Sequence, residues 1–464
     1  MAPRTLQYVA EACGGRLLHG SPQGVVTRVC TDSRRVAAGD LFVALSGERF
    51  DAHQFLNHVA VAGAAAAVAE IGRFPMDWAA LPVVAVDNTR GALGRLAARY
   101  RGDFTLPVVA VAGSNGKTTT KELLAAVLRE KFVTLASEAS FNNDVGVPLT
   151  LLRFDAAQQA AVLEVGTNHP GELAPLVRMI APQFGVIPSI GREHLEFFGD
   201  LAGVIQEEGW LAELLPANGC LFVNGDNVHI ATIVTRTKAR VVRAGLAPGN
   251  DWRATDVAVG EAGTRFTVVA PRGEFSGTYE LRLHGRHQVI NALLALALGA
   301  ELGLTRGQLQ RGLAGCTPPS MRLQLWETRG VRVLDDAYNA NADSVLAALQ
   351  TLQDFPCAGR KFAVLGDMAE LGTQTEAAHA EIGRRAATVG LSGLLAVGRM
   401  AGVTVRAAAA AGFVGGREFA DAEPAGRALG EMVRAGDVVL LKASRTARLE
   451  RVGEILRDGE ARRA

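Results

Sequence analysis

The chain has 464 residues, enough for about three domains, and its 48% hydrophobic and 20% charged residues are typical of a globular protein. Its 48 basic and 47 acidic residues nearly cancel, which argues against bulk nucleic-acid binding and against a polybasic membrane anchor. The five cysteines lack CxxC spacing, and the N-terminal segment lacks the apolar core of a signal peptide, so we expect free thiols in a cytoplasmic protein without membrane insertion.

Residues 1–102 are predicted to form an N-terminal α/β domain. Short β-type runs alternate there with Ala-rich segments, which predict helices around 55–68 and 90–101. The phrases TDSRR and FVALSGERFDAHQF also lie in this part of the chain.

The most informative segment is LPVVAVAGSNGKTTTKE, at residues 106–122. A β-type run, a Gly-rich turn, a Gly-Lys-Thr triplet and a helical pattern follow one another, as in a phosphate-binding loop. In such a loop, backbone N–H groups and the helix N-terminus face the phosphates, the lysine reaches them, and the threonine hydroxyl faces Mg²⁺. The alternative is an ordinary Gly-rich turn, because Val111 stands where the general pattern has a glycine. We predict nucleoside triphosphate binding by Gly113, Ser114, Asn115, Gly116, Lys117, Thr118 and Thr119.

The remaining chain is predicted to form two further domains. In 103–318, β-type runs alternate with helical patterns, which indicates a mainly parallel sheet with helices on both faces. Residues 252–283 alternate with period two, which predicts an antiparallel extension. The two prolines in 316–320 indicate a linker, and 319–464 shows the alternation expected of a Rossmann-like domain.

Three central residues are candidates for the chemistry. Glu164 ends a β-type run and His194 follows the next one, so both are expected at the strand-end crevice where parallel sheets bind ligands and where Glu164 could hold Mg²⁺. The alternatives are a solvated acid and a structural histidine. Glu208 falls on the apolar stripe of helix 201–215, whereas Glu207 lies off it. A buried carboxylate is costly unless it is paired with a cation. The alternative to a buried Glu208 is a half-exposed stripe near a kink in the helix.

Several other polar residues stand at turns, helix starts or strand ends. Asn142 and Asn143 fit an ordinary turn by local pattern, and Asn291 begins a helix face where its amide could contact a base or simply be structural. Acid, phenol and cation side chains at strand ends in the C-terminal domain suit a ligand in the crevice. These are Asp336, Tyr338, Asn339, Lys442 and Arg445.

Taken together, these phrases resemble the Mur ligases, a family of ATP-dependent amide ligases of bacterial cell-wall synthesis. The resemblance extends over nearly the whole chain, through GSNGKTTTKE, FNNDVGVPLTLL, LEVGT, EHLEFFG and GRHQVINALLA. The finer phrases TTTKE, LDDAYNANADS and LGDMAELG are similar to the member that joins D-alanyl-D-alanine to UDP-N-acetylmuramoyl-tripeptide. The implied fold is α/β, with an N-terminal UDP-sugar-binding domain, a central phosphate-loop ATPase domain and a C-terminal Rossmann-like domain.

The resemblance also implies a mechanism and a site. The tripeptide carboxylate attacks the γ-phosphate of ATP, and the amine of D-alanyl-D-alanine then attacks the acyl phosphate, giving UDP-N-acetylmuramoyl-pentapeptide, ADP and phosphate. Two Mg²⁺ ions and a lysine bring the two anions together. The implied catalytic residues are Lys117, Glu164, His194 and Glu208, and the implied metal ligands are Thr118, Glu164 and His194. ATP would further contact Asn291, Arg322 and Asp336, and the substrates would contact Ser33, Arg34, Asn142, Asn143, Tyr338, Asn339, Lys442 and Arg445.

The chain departs from the family at Glu208, where members commonly carry a lysine carbamylated by CO₂. Glutamate would supply a permanent carboxylate that needs no CO₂. Alternatives to the implied activity are another Mur-type ligase such as the UDP-N-acetylmuramoyl-tripeptide synthetase, a folylpolyglutamate synthetase, a non-catalytic nucleotide-binding relic, and a signalling phosphate-loop protein. The joint presence of Lys117, Glu164 and His194 argues against a relic. We expect a monomer.

Overall fold

The computed structural model describes residues 1–47, 50–317 and 319–461. Glu48 and Arg49, in the phrase FVALSGERFDAHQF, and Pro318, in the predicted linker, lie outside the described residues. Within those three ranges, we find no helix with the length and apolar character needed to cross a membrane.

The N-terminal domain is built on a five-stranded sheet. Its elements are β1 (Arg4–Thr5), α1 (Leu6–Cys13), β2 (Arg16–Leu17), β3 (Val25–Val26), β4 (Arg28–Cys30), β5 (Asp40–Val43), β6 (Ser46–Gly47), β7 (Phe50–Asp51), α2 (Leu56–Val61), β8 (Ala66–Glu70), β9 (Val83–Val86) and α3 (Thr89–Arg101). The sheet order is β2-β9-β8-β5-β4, in which only the β2–β9 pair is antiparallel. The small pairs β1–β3 and β6–β7 lie apart from it.

The prediction of a helix around 55–68 is wrong for the C-terminal part of that segment. The structure ends α2 at Val61, and Gly63 then adopts a φ of +91°, which turns the chain. The following Ala-rich segment forms β8, whose residues are all buried in the interior of the sheet. Tertiary burial therefore overrides the helix propensity of alanine.

The central domain contains a nine-stranded sheet. Its elements are β10 (Val108–Val111), α4 (Lys117–Arg129), β11 (Thr134–Ala136), α5 (Gly146–Leu151), β12 (Ala160–Glu164), α6 (Leu173–Ile180), β13 (Phe184–Ile187), α7 (Leu195–Phe198), α8 (Leu201–Glu208), α9 (Trp210–Glu213), β14 (Cys220–Asn224), α10 (Ile230–Val234), β15 (Arg240–Gly245), β16 (Trp252–Gly260), β17 (Gly263–Val269), β18 (Gly277–Leu281), α11 (Arg286–Glu301) and α12 (Arg306–Gly315). The order is β11-β12-β10-β13-β14-β15-β16-β17-β18. The antiparallel pairs β16–β17 and β17–β18 confirm the predicted extension.

The C-terminal domain is a six-stranded Rossmann-like sheet. Its elements are β19 (Gln324–Thr328), β20 (Val331–Asp336), α13 (Ala342–Asp354), β21 (Lys361–Gly366), α14 (Thr375–Ala387), β22 (Gly393–Val397), α15 (Ala401–Ala410), β23 (Gly416–Phe419), α16 (Ala422–Met432), β24 (Val438–Lys442) and α17 (Glu450–Ala461). The order is β19-β20-β24-β21-β22-β23, and only β19 runs antiparallel to its neighbour. The predicted three-domain α/β architecture is confirmed.

The topology brings the candidate residues to strand ends. In the central sheet, Val111 at the end of β10 lies opposite Glu164 at the end of β12. In the C-terminal sheet, Asp336 at the end of β20 lies opposite Lys442 at the end of β24. Residues of both strand-end groups line one cavity, so the site lies between two sheets rather than on one.

Candidate functional site

One cavity of about 1440 Å³ is lined by residues of all three domains. Helix α3 contributes Arg90, the central domain contributes Lys117 and Glu164, and the C-terminal domain contributes Asp336 and Lys442. A cavity for one small ligand usually measures about 300–1,000 Å³, so this one has room for more than one substrate.

The phosphate loop has the backbone geometry that its sequence predicts. Gly113 and Gly116 have φ values of +106° and +87°, which side-chain-bearing residues rarely adopt. A Cβ on Gly113 would lie 2.6 Å from the carbonyl oxygen of Ser189, and one on Gly116 would lie 2.9 Å from Oδ1 of Asn291. Helix α4 then begins at Lys117 without a side-chain cap, which leaves its first N–H groups available to an anion.

Lys117 is the cation of this loop. Its Nζ donates to the carbonyl oxygen of Gly113 at 2.5 Å and lies 3.2 Å from Oε2 of Glu193. Burial would lower the pKa of Lys117, but nearby carboxylates outweigh this effect and raise it, so the ammonium is retained. In decreasing order of effect, these carboxylates belong to Glu193, Glu208 and Glu164.

Glu164 lies at the cavity wall with one carboxylate oxygen engaged and the other free for a ligand. Its side chain is buried, and Oε1 accepts a hydrogen bond of 2.9 Å from Nδ2 of Asn142. Oε2 is buried and has no hydrogen-bond partner among the described residues. The Oγ of Ser137 fixes the backbone by accepting from the Glu164 N–H at 3.1 Å. Asn142 therefore has a specific role in orienting Glu164, beyond the turn that local pattern indicates.

His194 joins the central domain to the C-terminal domain. It has a φ of +47°, and its Nδ1 lies 2.5 Å from Oε2 of Glu370. The backbone of the same segment is also held, because the N–H of Glu196 donates to the carbonyl oxygen of Glu370. The carboxylate keeps the imidazole in place and leaves Nε2 as the ring nitrogen available to a ligand.

Glu208 is buried, as its position on the helix stripe predicts, but it does not line the cavity. Its Oε2 accepts from the N–H of Gly113 at 2.5 Å, so it lies beneath the phosphate loop. Burial, followed by the charge of Glu193, raises the pKa of Glu208 to about 8. This environment favours the neutral form of the Glu208 side chain, and its expected role as a permanent carboxylate stays a prediction.

Glu207, which lies off the apolar stripe of its helix, is also held by specific contacts. Glu207 is buried, and its carboxylate accepts hydrogen bonds of 2.9 and 2.8 Å from the N–H groups of Gly171 and Leu173. These groups lie at the start of α6, where unpaired backbone donors favour an acid.

Glu193 belongs to the site and was missed from the sequence. It is buried, pairs with Lys117, and its charge raises the pKa of the neighbouring Glu208. Its position beside His194 after a strand end is a signal that could have identified it. His287 was missed as well; it lines the cavity, and burial together with the charge of Lys442 lowers its pKa to about 4.

The C-terminal wall of the cavity is a cluster around Asp336. Nζ of Lys442 lies 2.7 Å from Oδ2 of Asp336 and donates to the carbonyl oxygen of Asn339. Burial raises the pKa of Asp336, and the Lys442 ammonium opposes that rise. The Arg322 guanidinium lies 4.3 Å from the ring centroid of Tyr338, a cation–π distance.

Direct contacts join this wall to the central domain. The Tyr338 hydroxyl donates to Oγ of Ser140 at 3.0 Å, and Nδ2 of Asn341 donates to Oδ1 of Asn115 in the phosphate loop at 3.0 Å. These contacts pack the C-terminal domain against the central domain at the cavity.

The other predicted residues divide into two groups. Asn291 lines the cavity beside Gly116, with its Nδ2 donating to Oε1 of Gln288, and Asn143 also lines it. Among the described residues, the lining does not include five of the predicted positions. These are Ser33, Arg34, Gly113, Glu208 and Arg445. Ser33 and Arg34 lie in a short 3₁₀ turn, Ser33–Arg35, where Arg34 is exposed and paired with Asp32.

The donor set suits Mg²⁺. Thr118 and Glu164 offer hard oxygen ligands at the cavity wall, and the unpartnered Oε2 of Glu164 is available to a cation. Within the described ranges, no three acidic, histidine or cysteine side chains converge closely enough to hold a metal by themselves. That arrangement fits an ion that takes the rest of its ligands from substrate phosphates and water.

The chain matches three protein-family models along its length. They describe a "Mur ligase family, catalytic domain" over residues 25–101, a "Mur ligase middle domain" over 111–299 and a "Mur ligase, glutamate ligase domain" over 321–445. The chain is also 38% identical over 453 residues to the UDP-N-acetylmuramoyl-tripeptide–D-alanyl-D-alanine ligase of Escherichia coli K12, covering 95% of this chain and 97% of the relative.

Solved structures show the same similarity. A crystal structure of MurF from Acinetobacter baumannii superposes with a TM-score of 0.90 at 31% identity, covering 98% of this chain and 99% of that one. A MurF ligase from Thermotoga maritima in complex with ADP superposes with a TM-score of 0.82 at 30% identity, covering 94% and 98%.

Proposed function

This chain belongs to the Mur ligase family, and from this premise we propose that it joins D-alanyl-D-alanine to UDP-N-acetylmuramoyl-tripeptide in peptidoglycan synthesis. ATP drives the reaction and leaves as ADP and phosphate. One observation carries the proposal: a single cavity is lined by a phosphate loop and by side chains of the two neighbouring domains, so that a nucleotide and two further substrates can meet there.

The chemistry requires two anions to approach each other. The tripeptide carboxylate must reach the γ-phosphate, and the Lys117 ammonium with the free N–H groups of α4 offers positive charge at that place. Mg²⁺, when bound, would neutralise further phosphate charge, and Thr118, Glu164 and His194 would hold it.

The remaining assignments follow from position in the cavity. The phosphate-loop residues hold the ATP phosphates, and Asn291, Arg322 and Asp336 contact the nucleotide. Tyr338, Asn339 and Lys442 face the incoming dipeptide, together with Asn142 and Asn143 from the central domain. Ser33, Arg34 and Arg445 lie outside the lining, and we assign them to the outer parts of the substrates.

We assign the three domains to residues 1–102, 103–318 and 319–464, and we place the protein in the cytoplasm as a monomer. The Tyr338–Ser140 and Asn341–Asn115 contacts support closure of the C-terminal domain over the nucleotide during the reaction. Closure excludes water, which protects an acyl phosphate from hydrolysis.

The test is phosphate release from ATP by the purified protein with UDP-N-acetylmuramoyl-tripeptide as acceptor. We expect release only when D-alanyl-D-alanine is added, with no release for single D-alanine, glutamate or diaminopimelate. Turnover of a UDP-dipeptide with a single amino acid would instead assign the preceding synthetase step. If the protein binds nucleotide but releases no phosphate with any combination of substrates, it is a non-catalytic relic.

A further inference from the structure

Lys121 is a buried lysine on α4, one turn after Lys117, and no role in the reaction has been given to it above. Its side chain is fully buried. Its Nζ donates to the carbonyl oxygens of Ser137 and Ala139 at 2.8 and 3.0 Å and lies 2.6 Å from Oε1 of Glu122. The ammonium therefore has two hydrogen bonds and one ion pair, and such partners are the condition for tolerating a charge in a protein interior.

The carbonyl partners of Lys121 begin a segment that we call the bridging loop, residues 137–145 between β11 and α5. This loop contacts both neighbouring domains. Oγ of Ser140 accepts from the hydroxyl of Tyr338 in the C-terminal domain, and Asp144 pairs at 2.8 Å with Arg90 in the N-terminal domain.

The bridging loop also orients Glu164. Asn142 donates to Oε1 of Glu164, and the carbonyl oxygen of Asn142 accepts from the N–H of Gly166 at 2.9 Å. The fit is close, since a Cβ on Gly166 would lie 2.6 Å from Nδ2 of Asn142. Ala139 has a φ of +43°, an unfavourable conformation for alanine that the surrounding contacts must maintain.

We infer that Lys121 is a positioning residue for the proposed ligase reaction, acting through the bridging loop. By holding the Ser137 and Ala139 carbonyl groups, it keeps Asn142 directed at Glu164 and Ser140 directed at Tyr338. It touches neither nucleotide nor substrate, and it does not line the cavity. The expected effect on turnover rests on the proposed function, whereas the expected effect on the bridging loop does not.

The first experiment measures the loop directly. Lys121→Met removes the ammonium and keeps an unbranched side chain, so amide hydrogen exchange in residues 137–145 should accelerate at least about tenfold, while exchange in α11 stays as in the wild type. Lys131→Met is the matched control, because the Lys131 Nζ also donates to two carbonyl oxygens, those of Leu302 and Gly303, at an exposed position. Unchanged exchange in the bridging loop would overturn the inference.

The second experiment measures the consequence for turnover. Lys121→Met should lower kcat by roughly tenfold to a hundredfold, the effect of a small misplacement of reacting groups. ADP affinity by calorimetry should stay within about threefold, because the phosphate loop itself is intact. Loss of ADP binding together with kcat would show a general structural role and overturn the inference.

A mutant cycle then tests the route. If Lys121 acts through Asn142 and Ser140, adding Lys121→Met to a variant that carries Asn142→Ala and Ser140→Ala should lower kcat by no more than about threefold beyond that variant alone. If the effects of the substitutions on kcat instead multiply as independent effects do, the inference is overturned. If Lys121→Met does not fold, Lys121→Gln, which keeps two amide donors, replaces it; failure of both variants to fold also overturns it. A wild-type protein inactive with D-alanyl-D-alanine would refute the proposed function but leave the exchange result standing.

Discussion

The Lys117 ammonium lies 3.2 Å from Oε2 of Glu193, within a group of carboxylates that also includes Glu208 and Glu164. The cation expected to face the phosphates is thus paired with a carboxylate. A triphosphate that binds at this loop competes with Glu193 for Lys117 and approaches the Glu164 carboxylate. We therefore expect nucleotide binding to depend on a metal ion that offsets those charges.

Glu193→Gln should tighten the binding of ADP in the absence of Mg²⁺. The substitution removes one negative charge beside the phosphate loop and frees Lys117, and we expect an increase in affinity of roughly tenfold, about 1.4 kcal/mol. Calorimetry in the presence of a chelator measures it. Glu196→Gln is the control, because Glu196 is an exposed acid on the same segment. Equal affinity of Glu193→Gln and the wild type would contradict the pairing described here.

Lys117→Ala should abolish phosphate release that depends on D-alanyl-D-alanine. The substitution removes the ammonium that faces the developing charge, together with its contacts to Gly113 and Glu193, so turnover should fall by at least about a hundredfold. Release of phosphate is the measurement, and Lys131→Ala, remote from the cavity, serves as its control. Normal turnover of the Lys117 variant would remove the phosphate-loop assignment.

Glu208 predicts how stability changes with pH. Its pKa in the folded protein is raised to about 8 from 4.5, so its favourable contribution is complete below pH 4.5 and is lost as the pH rises through about 8. Glu208→Gln should therefore lose less stability than the wild type between pH 6 and pH 9. We expect a difference between the two shifts in thermal midpoint of at least about 2 °C. Parallel shifts would show that Glu208 ionises at its ordinary pKa.

Added bicarbonate should leave the turnover of the wild-type protein unchanged. A glutamate at position 208 cannot form a carbamate, whereas the resemblance to the Mur ligases implies a carbamylated lysine there. Rates at several bicarbonate concentrations, with pH and ionic strength held constant, provide the measurement. A Glu208→Lys variant is the positive control, since a lysine at that place can react with CO₂. Clear stimulation of the wild type would count against the interpretation of Glu208.

Arg192→Ala should weaken domain closure. Nη2 of Arg192 lies 2.6 Å from Oδ1 of Asp343, and Nη1 lies 2.6 Å from Oε2 of Glu381. Both acids belong to the C-terminal domain. Because its loss leaves two carboxylates at the interface without a partner, we expect kcat/KM for D-alanyl-D-alanine to fall by roughly tenfold. Arg265→Ala, in the exposed ion pair with Glu280, should have little effect. Equal rates for both variants would show that the Arg192 contacts do not support closure.

The sequence predicts the parts of the site that local chemistry specifies. The glycines and Lys117 of the phosphate loop follow from backbone requirements within a few residues, and Glu164 follows from its place at a strand end. The same reasoning predicts the antiparallel extension at β16–β18, because period-two alternation needs no knowledge of the partner strand.

What sequence reasoning missed depends on contacts between distant segments. Glu193, Glu370 and Lys121 acquire their roles from partners that are 76, 176 and 16 positions away, respectively. The protonation of Glu208 depends on burial beneath a loop that precedes it by 95 positions. Helix periodicity and turn chemistry depend on residues that are close in the sequence, so they give no information about these contacts. Only the tertiary fold brings such distant residues together.

The cavity has walls from three domains, and the C-terminal wall is held against the central one by ion pairs and single hydrogen bonds. Any movement of the C-terminal domain must therefore break these contacts and change the shape of the cavity. A small molecule wedged between the strand ends of the two sheets would oppose such movement without imitating ATP, sugar nucleotide or dipeptide.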